Sequence, residues 1–199
     1  LAFAQQSILL KIGIGVALTQ RLIMVLWFTL PGLSVVFLVW TILRDWTPVW
    51  RWKVAAIAAA SFYMFNLYLE NVWLGFNMAV LTAQATLPAF LALLYLAFSR
   101  RISLRLFALL FAPVALWASG IGVNPPMVVV VLGALVAFVG AYPFITGRSR
   151  SLDSYRRVGA TLAVGITVAL PLNAFWLLPF VEQIRATTGA EITGASELA

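Results

Sequence analysis

The residues best suited to chemistry in this sequence lie between Tyr63 and Glu70. Tyr63, Asn66 and Glu70 follow one another at three- and four-residue intervals, which places their side chains on one face of a helix. A phenol, an amide and a carboxylate in a row can hydrogen-bond the hydroxyls of a polar substrate. The same stripe can instead bind neighbouring helices and end in a solvated carboxylate. The spacing alone leaves both interpretations open.

Asn173 is the second candidate, because it stands between Pro171 and Pro179. A proline inside a helix lacks the N–H group that would bond the carbonyl four residues earlier. We therefore predict a bend in this helix, with free carbonyls near Asn173 that face the bundle interior rather than lipid. Such a break either lines a cavity or only shapes the bundle.

Several other kinds of site are excluded by the residue types present. The sequence has no His and no Cys, which removes disulfides, thiolate chemistry and the commoner zinc sites. It also shows no Gly-rich phosphate loop after a strand and no cluster of metal-ligand residues. We therefore expect no metal and no cofactor. Because no catalytic motif is present, the sequence leaves the catalytic residues unknown.

The candidate residues are embedded in a very apolar chain. Of its 199 residues, 63% are hydrophobic and only 10% are charged, and the mean hydropathy is +1.02. Soluble domains of this size carry charge on about a quarter of their residues. The composition thus predicts a single all-α domain over residues 1–199, a polytopic transmembrane bundle whose partner is membrane lipid.

The apolar runs set the predicted helices, since a span needs about 20 residues. About six spans fall within residues 21–183, at 22–43, 54–69, 74–98, 104–119, from after 126 to 145, and 158–181. Residues 1–20 are predicted as an outer interfacial or re-entrant segment, and residues 184–199 as the start of an outer loop. Because the chain starts without Met and ends in a polar stretch, we expect it to be a section of a longer protein.

The basic residues indicate the orientation. The formal net charge is +7, but the basic residues do not share one face, so we expect no nucleic-acid partner. Ten of the 13 Lys and Arg fall in the connections after the first, third and fifth spans: Arg44, Arg51, Lys53, Arg100, Arg101, Arg105, Arg148, Arg150, Arg156 and Arg157. The positive-inside rule then predicts a multi-pass protein of the cell membrane with both ends of this chain on the outer side.

Four phrases resemble a known class of enzymes. Residues 58–68 read Ala-Ala-Ala-Ser-Phe-Tyr-Met-Phe-Asn-Leu-Tyr, and residues 86–96 read Thr-Leu-Pro-Ala-Phe-Leu-Ala-Leu-Leu-Tyr-Leu. With the Ser119-Gly to Asn124-Pro-Pro turn and the Asn173-Ala-Phe-Trp phrase, they are similar to the multispan GT-C glycosyltransferases, especially the bacterial arabinofuranosyltransferase branch. Leu67 departs from the pattern, because that family usually has Pro there.

The resemblance implies a GT-C-like bundle that moves a sugar from a polyprenyl-phosphate donor to a cell-envelope glycan acceptor. It also implies a catalytic base in the first outer loop, upstream of Leu1. From their polarity and their positions in the apolar runs, we expect substrate-binding roles for Glu70, Asn66, Tyr63 and Asn173. A transporter or flippase-like bundle without transfer activity is the alternative, for which kinked helices are equally natural.

Overall fold

The computed structural model describes residues 2–65, 78–123, 125–146 and 152–197, and all regular elements in these ranges are helical. The all-α prediction is thereby confirmed. Within these ranges there are seven α-helices: α1 (Ala2–Lys11), α2 (Val16–Leu43), α3 (Val49–Met64), α4 (Met78–Phe98), α5 (Leu104–Ala118), α6 (Pro125–Thr146) and α7 (Leu152–Glu197), with a short 3-10 turn (Ser119–Val123) after α5.

Four stretches within the described residues are long and apolar enough to cross a membrane: Val16–Leu43, Ala79–Phe98, Leu104–Ile121 and Asp153–Pro179. They lie in α2, α4, α5 and α7. Helix α3 has only 16 residues, and the apolar stretch of α6 is Met127–Pro143. Four of the about six predicted spans are therefore supported by helix length and composition, and the other two stay predictions.

Two helix boundaries differ from those expected. Helix α2 begins at Val16 rather than near residue 22, so residues 16–20 join this helix. Helix α7 continues to Glu197 through the region predicted as a loop. Each predicted helix boundary was set where the apolar run ended. A helix needs only a compatible backbone, however, and beyond Pro179 no further proline interrupts this one.

Helix α4 is the centre of the bundle. Of its apolar window, 78% is buried, against 28% for the windows of α2 and α5 and 17% for that of α7. It packs against α2, α5, α6 and α7, while α3 packs on α2. The outward surfaces carry large apolar side chains such as Leu109 and Val136. An apolar exterior of this extent suits a lipid environment rather than water.

Helices α4 and α5 are joined by a tight turn at one end of the bundle, which we call the arginine end because Arg44, Arg101 and Arg157 lie there. Arg100 has a φ of 61°, and the next amide, that of Arg101, bonds the Leu96 carbonyl at 2.9 Å. This is the Schellman arrangement that closes many helix C-termini, here with Arg in the place usually taken by Gly.

Arginine side chains then tie this turn to the neighbouring helices. Arg101 donates to the Thr41 carbonyl at 2.8 Å and lies 2.6 Å from the Asp45 carboxylate. Arg157 of α7 donates to the carbonyls of Ala97 at 2.8 Å and Ile102 at 2.7 Å. The last carbonyls of a helix have no partner within the helix. The guanidinium groups of Arg101 and Arg157 supply further donors to the helix-end carbonyls of Thr41 and Ala97 and to the Ile102 carbonyl of the turn, and so tie α2, α4 and α7 together.

Candidate functional site

A small cleft opens at the opposite end of the bundle, where α3 ends and α4 and α6 begin. Its volume is about 230 Å3, and we call it the Tyr63 cleft. Most of its lining is apolar, from residues including Val80, Met127 and Val131, and its polar groups come from Tyr63 and Gln84. The cleft therefore combines an apolar wall with a few hydrogen-bonding groups, as small-ligand sites commonly do.

Tyr63 is hydrogen-bonded to a main-chain carbonyl of α4 that a proline leaves without its usual partner. Its hydroxyl donates to the Gln84 main-chain carbonyl at 3.1 Å. That carbonyl would normally accept the N–H of the residue four positions later, which is Pro88 and has no N–H. The phenol thus satisfies the one carbonyl of α4 that the proline leaves free. Tyr63 is therefore positioned at the cleft by the backbone chemistry of α4.

If the Tyr63 hydroxyl bonds a carbonyl that Pro88 leaves free, substitutions of these two residues should have coupled effects on the free energy of unfolding. Tyr63→Phe should lower the free energy of unfolding by about 1 kcal/mol, the usual net contribution of one hydrogen bond. In a Pro88→Ala background, residue 88 regains its N–H and the same Tyr63→Phe change should cost close to nothing. Unfolding in detergent measures both costs.

Tyr155→Phe is the matched control for that cycle, because Tyr155 is an exposed tyrosine on α7. It should leave stability unchanged in both backgrounds. An equal cost of Tyr63→Phe with and without Pro88 would contradict the assignment.

Gln84 is the functional candidate that the sequence analysis missed. Its side-chain oxygen is buried and has no hydrogen-bond partner among the described residues. A buried amide oxygen without a donor is costly, and it is ready to accept a hydroxyl from a ligand in the cleft. A signal was present, because Gln84 is the only amide within the apolar run of α4 and polar groups at such positions mark sites by default.

Asn173 lies elsewhere and binds a different helix. It is 9% exposed, and its amide nitrogen donates to the carbonyls of Ala115 in α5 at 3.3 Å and Ala169 at 2.9 Å. Its amide oxygen accepts the indole N–H of Trp176 at 2.8 Å. Ala115 stands in the last turn of α5, where the N–H of Ser119 bonds the carbonyls of Leu116 and Trp117 rather than that of Ala115. Asn173 therefore faces the bundle, as expected, and secures the end of α5.

The four predicted site residues are thus only partly placed. Tyr63 lines the cleft, whereas Asn173 is not among its lining residues. Asn66 and Glu70 lie outside the described residues, so the predicted stripe of Tyr63, Asn66 and Glu70 stays a prediction. What the described residues place together is Tyr63 with Gln84.

A second, larger cavity lies between α2, α4 and α5. Its volume is about 370 Å3 and its lining is almost wholly apolar. Trp117, at its edge, packs against Trp27 with ring centroids 5.1 Å apart. The indole nitrogens of both residues are buried and have no acceptor among the described residues. We call this space the Trp117 cavity.

No protein-family model, curated protein or solved structure matches this chain. Within the described ranges, no three acidic, His or Cys side chains are grouped as metal ligands. The chemistry available at the described site is therefore hydrogen bonding, from Tyr63 and Gln84 in an apolar wall. The GT-C resemblance stands on the sequence phrases alone.

Proposed function

We propose that this chain is the membrane section of a GT-C-type glycosyltransferase, which moves a sugar from a polyprenyl-phosphate donor to a cell-envelope glycan acceptor. In this proposal the helices lie in the cell membrane, with the arginine end toward the cytoplasm. The Tyr63 cleft then opens toward the outer face, where a lipid-linked donor and a glycan acceptor can meet.

The observation that carries the proposal is the buried Gln84 side-chain oxygen beside Tyr63. A sugar is rich in hydroxyl donors, and an amide oxygen that has no partner among the described residues can accept one of them once its side chain turns toward the cleft. Asn66 and Glu70 follow Tyr63 within seven positions of the sequence. Those residues extend the set of hydrogen-bonding groups that could position a sugar.

In this mechanism the described residues position substrate and do not transfer a proton. Attack by an acceptor hydroxyl needs a carboxylate as general base, and the resemblance implies that this base lies upstream of Leu1. Glu70 and Gln84 would hold the acceptor so that its hydroxyl meets the donor sugar. Correct placement of two reactants can itself account for several kcal/mol of the barrier.

The test is sugar transfer by the full-length protein in proteoliposomes, with a radiolabelled polyprenyl-phosphate sugar and a glycan acceptor. Glu70→Gln and Gln84→Met should each lower kcat/KM about tenfold, as expected for the loss of one positioning hydrogen bond of ~1.5 kcal/mol. Glu182→Gln, which changes an exposed carboxylate of α7, is the matched control and should keep full activity.

Two outcomes would contradict the proposal. If the full-length protein moves lipid-linked sugars or other solutes across the bilayer without forming a glycosidic bond, the transporter alternative holds. If transfer occurs but both Glu70→Gln and Gln84→Met retain normal kcat/KM, the Tyr63 cleft is not the acceptor site. Expression and unfolding of each variant, measured alongside, separate lost activity from lost fold.

A further inference from the structure

The lining of the Trp117 cavity is almost wholly apolar, so it offers polar ligands few hydrogen-bonding partners. The side chains around it are mainly Leu, Ala and Val, with two hydroxyls, those of Ser34 and Thr86. Both hydroxyls already donate within their own helices, Ser34 to the Pro31 carbonyl at 2.8 Å and Thr86 to the Thr82 carbonyl at 2.8 Å. A site that offers so few free polar partners does not hold ordered water well. Its natural occupant is a hydrocarbon.

The three helices around the cavity each carry a proline close to it. Pro31 lies in α2, Pro88 in α4, and Pro113 in α5 is itself part of the lining. Interior prolines prevent regular helix packing, because the ring displaces the preceding turn. We attribute the gap between α2, α4 and α5 to these residues. The cavity is therefore built into the sequence of all three helices.

The cavity opens sideways and is about one leaflet deep. Leu26 and Leu33 belong to its lining and are also exposed on the bundle surface, so the space communicates with whatever surrounds the helices. The lining of α2 runs from Leu26 to Ser34, and the eight steps between these residues span roughly 12 Å at 1.5 Å per residue. Half of a hydrocarbon core of ~30 Å is of similar length.

One polar group, the indole N–H of Trp117, belongs to a residue at the edge of this apolar cavity. Trp117 stands one residue before the end of α5, and its indole N–H is buried without an acceptor among the described residues. A buried indole N–H usually finds an acceptor. An ester or phosphate oxygen at the head of a lipid would supply one while its chain fills the cavity below.

From this geometry we propose that the Trp117 cavity binds one acyl chain of a phospholipid from the leaflet at the Tyr63 end, with a head-group oxygen accepting the Trp117 indole N–H. The depth of about one leaflet favours an acyl chain over a longer polyprenyl chain. The bound phospholipid fills the gap between α2, α4 and α5 and so supports the central helix. This proposal does not depend on glycosyltransferase activity.

The experiment uses the full-length protein in nanodiscs that contain a phospholipid with a photoreactive diazirine on one acyl chain. After irradiation, peptide mass spectrometry should find cross-links concentrated on cavity residues such as Leu30, Ala89 and Val114. Ala89→Phe, which fills the cavity, should lower cross-linking at Leu30 and Val114 about fivefold. Trp117→Phe should do the same, because it keeps an aromatic side chain but removes the indole N–H. Val136→Phe, on the exposed face of α6, should change neither.

Three results would overturn the proposal. One is cross-linking spread evenly over exposed residues such as Leu109 and Val136. Another is unchanged cavity labelling in both Ala89→Phe and Trp117→Phe, judged against labelling at Leu109 as the internal reference for a folded protein. The third is cavity labelling by a photoreactive polyprenyl phosphate that an excess of phospholipid fails to compete away, which would assign the cavity to the longer lipid.

Discussion

Arg157→Ala is expected to lower the free energy of unfolding by about 3 kcal/mol, because two hydrogen bonds from a charged donor contribute ~1.5 kcal/mol or more each. The Arg157 guanidinium bonds the carbonyls of Ala97 and Ile102, on either side of the turn between α4 and α5. Without it the Ile102 carbonyl loses its side-chain donor and the Ala97 carbonyl keeps only the Arg100 N–H at 3.2 Å, while α7 loses these two hydrogen bonds to the end of α4 and the turn after it. Unfolding of the purified protein in detergent measures the loss.

Arg156→Ala is the matched control for this prediction. Arg156 is the neighbouring residue on α7, has the same charge and is exposed. Its replacement should shift stability by no more than ~0.5 kcal/mol, as usual for surface positions. A similar loss in both variants would mean that net charge at the arginine end, and not the two carbonyl contacts, holds the turn together.

Cysteine labelling is expected to give a near-complete difference between the two ends of the bundle. The sequence has no native Cys, so single cysteines can be placed at Ser99 in the turn after α4, at Ser151 one position before α7 begins, and at Thr188 in the last part of α7. In intact cells an impermeant thiol reagent should modify the Thr188 variant and spare the other two. The expectation follows from the positive-inside rule, which predicts that the arginine end faces the cytoplasm.

Permeabilised cells provide the control for that labelling. All three variants should then react, which shows that protection at Ser99 and Ser151 comes from the membrane and not from local burial. Labelling of Ser99 and Ser151 but not of Thr188 in intact cells would reverse the orientation. The Tyr63 cleft would then open to the cytoplasm, where the proposed outer-face transfer could not take place.

The helical architecture could be predicted from sequence alone, from the length and apolar composition of each run. The run from Leu104 to Ala118 is one example, because this helix begins and ends within a residue of the span predicted at 104–119. Such features are local, because a helix bonds its own backbone. The sequence also marked Tyr63 and Asn173 as polar groups within apolar runs, which is a statement about composition and spacing.

The predictions that differed involve helix ends. The apolar runs indicated where helices could lie in lipid, but α2 and α7 extend past those runs. Polarity limits where a helix can sit in a bilayer and does not by itself end the helix. The point where the sequence changes from apolar to polar is therefore a poor guide to the last residue of a helix.

Tertiary structure alone decided what each polar side chain does. Pro88 is visible in the sequence as a proline that frees a carbonyl, but only the packing of α3 on this face of the bundle brings the Tyr63 hydroxyl to it. Asn173 likewise binds Ala115, 58 positions away. The spacing of residues along one helix fixes their shared face, whereas the register between two helices depends on every contact of the bundle. For that reason the sequence could name these side chains and could not name their partners.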